Sequence, residues 1–174
     1  MRTAAVIGIG DMGSGLAKNL LANNFKVQGF DLLPERMRAF EKMGGTPASS
    51  SADAGNGAEA AFVMVMNGDE TKEVFFGGDG LGGLKSTMAS GSVIILSATV
   101  RAREARELAE GLKGSGIHLI DTPVSGGRPG AQGGTLTLMA AATDAAFEAA
   151  WPAMEAVSGT IHKVGTAIGQ GQTV

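Results

Sequence analysis

A length of 174 residues with 44% hydrophobic content suits one domain with a sizeable core, alone or as part of something longer. Fourteen basic against 17 acidic side chains exclude the basic footprint of a nucleic-acid or polybasic membrane surface, and no run of about 18 apolar residues is present to cross a bilayer. The absence of cysteine excludes disulfides, thiol nucleophiles and Cys-ligated zinc, and the two histidines, His118 and His162, are not spaced as a triad or a metal site.

The opening "MRTAAVIGIG" is a strand from its first residues and leaves no room for a signal peptide, which makes a cytoplasmic location the expectation. Strand Ala4–Ile7 leads to a helix over Met12–Ala22, then to strand Lys26–Phe30 and a helix opening at Pro34, where proline suits the first turn. "AAFVMVM", residues 60–66, is an apolar run of the kind buried on both faces of a sheet, and a helix over Asp69–Phe75 follows. Phe76–Ser86 holds five glycines and reads as a surface loop. Ser92–Leu96 is another buried strand, Arg101–Leu112 has helical spacing, and Gly116–Asp121 closes the parallel series. Ser125–Ala141 reads as a glycine-rich turn followed by an alternating strand, Thr143–Met154 as a helix and Thr160–Lys163 as a strand. This alternation predicts an α/β fold, a doubly wound Rossmann-like sheet of six parallel strands extended by two further strands in mixed orientation. Residues 1–165 form one domain on this reading, with no internal repeat or low-complexity linker.

The first strand runs into "VIGIGDMGSGLAKNL", which sets Gly8, Gly10 and Gly13 at G-x-G-x-x-G spacing between a strand and a helix. Gly8 is expected to make the sharp turn, Gly10 to let a pyrophosphate approach the backbone, and Gly13 to let helix and sheet pack closely. Asp11 and Met12 lie between them at the helix N-terminus, whose N–H groups and dipole favour phosphate. The second strand ends in Asp31, near the offset of about 20 residues at which an acidic side chain meets the adenosine ribose. A structural turn in another doubly wound protein, such as a methyltransferase using adenosylmethionine, is the alternative; Asp31 favours the dinucleotide. A carboxylate there repels a 2′-phosphate and Leu32 brings no cation, so the expected cofactor is NAD.

"DTPVSGGRPGAQGGTLTLMAA", taken with "GIGDMGSGLAKNLL", resembles the β-hydroxyacid dehydrogenase family, relatives of 3-hydroxyisobutyrate and 6-phosphogluconate dehydrogenases, over essentially the whole chain. The resemblance implies that Ser125, Gly126 and Gly127 hold a substrate carboxylate and that Met66, Asn67 and Thr99 contact the cofactor. Many members have Leu-Pro where this chain has Met66-Asn67, and Ser-Thr where it reads Ser97-Ala98-Thr99; Asn67 equally suits a helix cap. "GFDL", "VMN", "VFFGGDGL" and "VSGTIHKVGTAIGQGQTV" resemble the L-threonate dehydrogenase branch, which oxidises a four-carbon sugar acid with NAD and no metal. "VGTAIGQGQTV" resembles the family segment G-x-G-x-x-x-K, which implies that residues 166–174 start an inter-domain helix. The general acid/base lysine then falls immediately after Val174, and an all-helical second domain that makes the homo-oligomer follows it. Relatives acting on 3-hydroxyisobutyrate, glycerate or tartronate semialdehyde share the same frame and are one alternative this leaves; a non-catalytic NAD-binding module is another.

Overall fold

A computed structural model describes residues 1–78 and 82–174. Six strands run parallel: β1 (Arg2–Ile7), β2 (Phe25–Phe30), β3 (Thr46–Pro47), β4 (Ala60–Val63), β5 (Val93–Leu96) and β6 (His118–Asp121). They lie in the order β3-β2-β1-β4-β5-β6. That order reverses between β1 and β4, the switch point at which a doubly wound sheet opens a crevice at its strand ends. The chain returns between strands through α1 (Asp11–Ala22), α2 (Pro34–Lys42), α3 (Ser51–Gly55), α4 (Gly68–Phe76) and α5 (Ala102–Leu112). Pro34 occupies the first turn of α2.

The mixed extension holds β7 (Val124–Ser125), α6 (Gly127–Gly133), β8 (Leu136–Ala141), α7 (Asp144–Val157) and β9 (Ser158–Gly165). β8 runs antiparallel to β6 and β7, and β9 runs parallel to β8 on its other side. The two strands expected here are thus joined by a third, the two-residue β7.

Alternation along the strands sorts the core into two layers. Val6, Phe62 and Ile95 point to one face and pack with Leu16 and Leu20 of α1, Phe40 of α2 and Met154 of α7. Ile7, Val63, Ile94 and Leu96 point to the other and pack with Phe75 of α4 and Leu108 of α5. Both faces being covered, β4 and β5 are buried at every residue, which is why their sequences carry no polar positions.

Two expectations are corrected. Within the expected surface loop Phe76–Ser86, residues 79–81 lie outside the described residues, while Leu84–Ser86 forms a 3-10 turn. Leu84 is wholly buried in the second layer, so this part is core rather than loop. The glycine-rich turn after Ser125 contains the helix α6, although its sequence GRPGAQG has little helical propensity. Packing against α1 supplies what propensity lacks.

Phe62 is wholly buried at the centre of the first layer. Phe62→Ala is therefore expected to cost about 3–5 kcal/mol in urea denaturation; a loss below about 1 kcal/mol would contradict this packing.

Candidate functional site

The three glycines after β1 stand where the chain is crowded for different reasons. Gly8 has φ +90°, and a Cβ there would sit 2.2 Å from the carbonyl oxygen of Met64, just past β4. At Gly13 a Cβ would fall 1.8 Å from the Gly8 carbonyl oxygen. Both positions therefore exclude any side chain on steric grounds alone. Gly10 differs. It precedes α1 with φ −83° and ψ −154°, a conformation open to any residue, and a Cβ there would meet nothing closer than the Arg36 guanidinium, at 3.6–3.7 Å, an ordinary van der Waals contact. No side chain caps α1, so the N–H groups of Asp11, Met12 and Gly13 at its first turn have no intrahelical partner. They face the switch point.

Asp31, at the end of β2, is pinned to this loop. One carboxylate oxygen accepts from Ile9 N–H at 2.8 Å and the other from Leu33 N–H at 2.9 Å, while Arg36 donates to the first at 3.3 Å. Its side chain is only 7% exposed. The acidic residue that the spacing assigned to a ribose thus also fixes the glycine-rich loop to β2, a duty not visible in the sequence. Leu32 beside it is 82% exposed.

Beyond β4 and β5 a cleft of about 420 Å³ is lined by Met66, Asn67, Thr99, Arg101 and Glu104, among others. Met66 is 85% exposed at its rim. Asn67 is the N-cap of α4: its Oδ1 accepts from Glu70 N–H at 3.0 Å and its Nδ2 donates to Glu70 Oε1 at 3.1 Å. Glu70 Oε2 in turn accepts from Met66 N–H at 2.9 Å, which fixes the strand-to-helix turn. Thr99 is exposed between the buried Ala98 and Val100.

After β6, Ser125, Gly126 and Gly127 lie exposed, the two glycines at φ +127° and +58°. The helix α6 that follows is seated on α1. A Cβ at Gly15 would lie 2.6 Å from the Ala131 carbonyl carbon, and Asn19 Nδ2 donates to the Ala131 carbonyl at 2.8 Å. Gln132 Nε2 donates to the Asp11 carbonyl and to Ser14 Oγ, each at 3.2 Å. Every candidate site residue named from the sequence thus lies at the carboxyl ends of the parallel strands, the edge at which open α/β sheets bind ligands. His118 instead opens β6 at its amino end and His162 lies exposed on β9. Among the described residues no group of three His, Cys, Asp or Glu side chains is placed to hold a metal ion, and no helix is long and apolar enough to cross a membrane.

Sequence reasoning missed Asp121, which ends β6 and is wholly buried. Desolvation pushes its carboxyl above the ordinary carboxylate range, against the opposing pull of hydrogen bonds from the Gln172 side chain and from the N–H groups of Gly169, Gln172 and Gly171. Its bonding partners lie 48 and 51 residues further along the chain, so no local pattern marks it.

Residues 3–165 match the family described as the NAD-binding domain of 6-phosphogluconate dehydrogenase. The chain is 35% identical over 173 residues to an L-threonate dehydrogenase of Cupriavidus necator, which covers 99% of this chain and 57% of that protein. It is 33% identical over 165 residues to a 3-hydroxyisobutyrate dehydrogenase of Pseudomonas aeruginosa, covering 95% of this chain and 54% of that one. The crystal structure of a 3-hydroxyisobutyrate dehydrogenase from Salmonella typhimurium superposes with a TM-score of 0.93 at 28% identity, over 99% of this chain and 59% of the other. The chain spans somewhat more than half the length of these relatives.

The contrast among the glycines is directly testable. Gly10→Val is expected to melt within a few degrees of the unaltered chain, a surface-type change of about 0.5 kcal/mol or less. Gly13→Val, which drives carbon into the Gly8 carbonyl, is expected to unfold the domain or lower its melting temperature far more. Equal melting temperatures for the two variants would contradict the geometry of the turn.

Proposed function

Because this chain belongs to the family of NAD-binding domains of 6-phosphogluconate dehydrogenase, we propose that it is the cofactor part of an NAD-dependent dehydrogenase oxidising a hydroxyl of a small sugar acid of the L-threonate kind. The observation that carries the reading is Gly10. The fold does not require glycine there, whereas a pyrophosphate drawn to the N-terminus of α1 does, because a side chain would occupy its approach.

On this reading Gly8, Gly10 and Gly13 shape the cradle, and the N–H groups of Asp11, Met12 and Gly13 donate to the phosphates. Asp31 and Leu32 border the adenosine ribose, and Met66, Asn67 and Thr99 border the cofactor along the ends of β4 and β5. When bound, NAD supplies the hydride acceptor. The hydroxyl of Ser125 and the N–H groups of Gly126 and Gly127 form a small nest for the substrate carboxylate. The proton of the substrate hydroxyl passes to a lysine immediately after Val174, in the position that G-x-G-x-x-x-K gives it when counted from Gly169. Residues 1–165 are then the NAD domain and 166–174 lead into a helical, dimer-forming second domain. The 174-residue chain binds NAD but turns over nothing. The match to a 3-hydroxyisobutyrate dehydrogenase supports a second reading, with 3-hydroxyisobutyrate or a glycerate-type acid as substrate.

Calorimetry on this chain is expected to show NAD bound more tightly than NADP, and no NAD binding by Gly10→Val. Asp31→Asn is a poor route to reversing cofactor choice, since an amide would turn a donor toward the Ile9 or Leu33 N–H. Leu32→Arg is cleaner: the exposed position admits the side chain, and a charge-assisted bond to a 2′-phosphate should raise NADP affinity about tenfold or more. NADP binding unchanged by Leu32→Arg would remove Leu32 from the ribose site.

The activity itself is tested by assaying L-threonate, 3-hydroxyisobutyrate and glycerate with NAD, on this chain and on the chain extended through its second domain. The extended protein should turn over L-threonate best, and the short chain should be slower by at least about 10²–10⁴-fold. In the extended protein Ser125→Ala should raise KM while leaving NAD affinity unchanged. Comparable rates from the short chain, or a residue other than lysine after Val174, would contradict the assignment.

A further inference from the structure

One amide side chain holds both flanks of Thr99. Gln172 Nε2 donates to the Ala98 carbonyl at 3.3 Å, and Gln172 Oε1 accepts from Val100 N–H at 3.3 Å. The amide therefore serves the β5–α5 loop as a strand neighbour would, with one acceptor and one donor on either side of the exposed threonine. Its orientation is set from the opposite side. Nε2 also donates to Asp121 Oδ1 at 2.7 Å, and a carboxylate can only accept, so the nitrogen must face Asp121 and the oxygen must face Val100. Asp121 Oδ2 meanwhile accepts from Gly169 N–H at 2.9 Å and Gln172 N–H at 3.3 Å, which fixes the backbone that carries the glutamine. Gly171 is required at this crossing, since a Cβ would lie 2.5 Å from the Asp121 carbonyl oxygen.

We propose that Asp121 and Gln172 are a positioning pair, which sets the place of Thr99 against the cofactor by tying the β5–α5 loop to the end of β6 and to the segment Gly169–Thr173. The inference rests on the reading above that Thr99 borders NAD. It makes one buried carboxylate common to three segments: the loop that carries Thr99, the strand that leads to Ser125, and the segment Gly169–Thr173. Both act through Thr99 as positioning residues.

The test uses NAD affinity of this chain by calorimetry, together with hydrogen exchange at the Val100 amide. Gln172→Ala removes both holds on the loop and should weaken NAD binding by roughly three- to tenfold, with faster exchange at Val100. Gln172→Glu places a second carboxylate against Asp121 and should weaken it at least as much. Adding Asp121→Asn to Gln172→Glu returns a donor to face the new carboxylate, though none to the Ala98 carbonyl, and affinity should recover by about threefold or more over Gln172→Glu alone. A Gln172→Ala variant that melts lower yet binds NAD unchanged would reduce the pair to structural support. Should that variant not fold, failure of the double variant to improve on Gln172→Glu alone would overturn the proposal. If the unaltered chain does not bind NAD, the functional reading fails first; unchanged exchange at Val100 in Gln172→Ala would then overturn the clamp independently.

Discussion

Two carbonyl oxygens leave no room for a side chain where β1 turns into α1. The Met64 carbonyl stands where Gly8 would carry a Cβ, and the Gly8 carbonyl stands where Gly13 would carry one. This crowding brings the turn hard against the end of β4, at the point where the strand order reverses, and aims the unpartnered N–H groups of α1 into the crevice between the two halves of the sheet. A looser turn would displace the helix, and with it the donors and the positive end of its dipole. The proposed anion site is thus a by-product of close packing, from which Gly10 itself is spared.

The same helix carries the constraint across the molecule. α1 meets α6 at a second forbidden position, Gly15 against Ala131, and Asn19 and Gln132 bond the two helices together. Since α6 begins at Gly127, the segment proposed to hold a substrate carboxylate is referenced to the helix proposed to hold the pyrophosphate. Asp31 and Asp121 perform matching tasks at the two sides of the sheet. Each is a shielded carboxylate satisfied largely by backbone N–H groups, the first fastening the glycine-rich loop, the second fastening the chain beyond β9. Buried charge held in this way fixes loops that would otherwise be free to shift.

The longer helices were legible from their 3.6-residue period, and β4 and β5 from the opposite signal, short runs AAFV and VIIL with no polar position, as in a sheet covered on both faces. The strand–glycine–helix context of Gly8–Gly13 pointed to the crevice at the switch point. What escaped was set by tertiary contact. GRPGAQG becomes α6 because α1 accepts it, and β3 and β7, two residues each, are too short to show alternation. Asn67 illustrates a residue for which the sequence allowed two duties; the structure places its side chain on Glu70 as a cap. Asp121 and Gln172 were unreadable for a different reason: their partners lie about 50 residues apart in the chain, and no local pattern announces such a bond.

The central claim is that the N-terminus of α1, reached past Gly10, receives the pyrophosphate of NAD. It is tested most directly by following the backbone amides of the ¹⁵N-labelled chain by NMR as NAD is added. The largest shifts are expected at Ile9–Gly13, with further shifts at Asp31, Met66, Asn67 and Thr99, and none around the cleft at the amino ends of the strands that Arg2, Asn23 and Phe25 line. Shifts centred on that opposite cleft, or none at Asp11–Gly13 at saturating NAD, would contradict it.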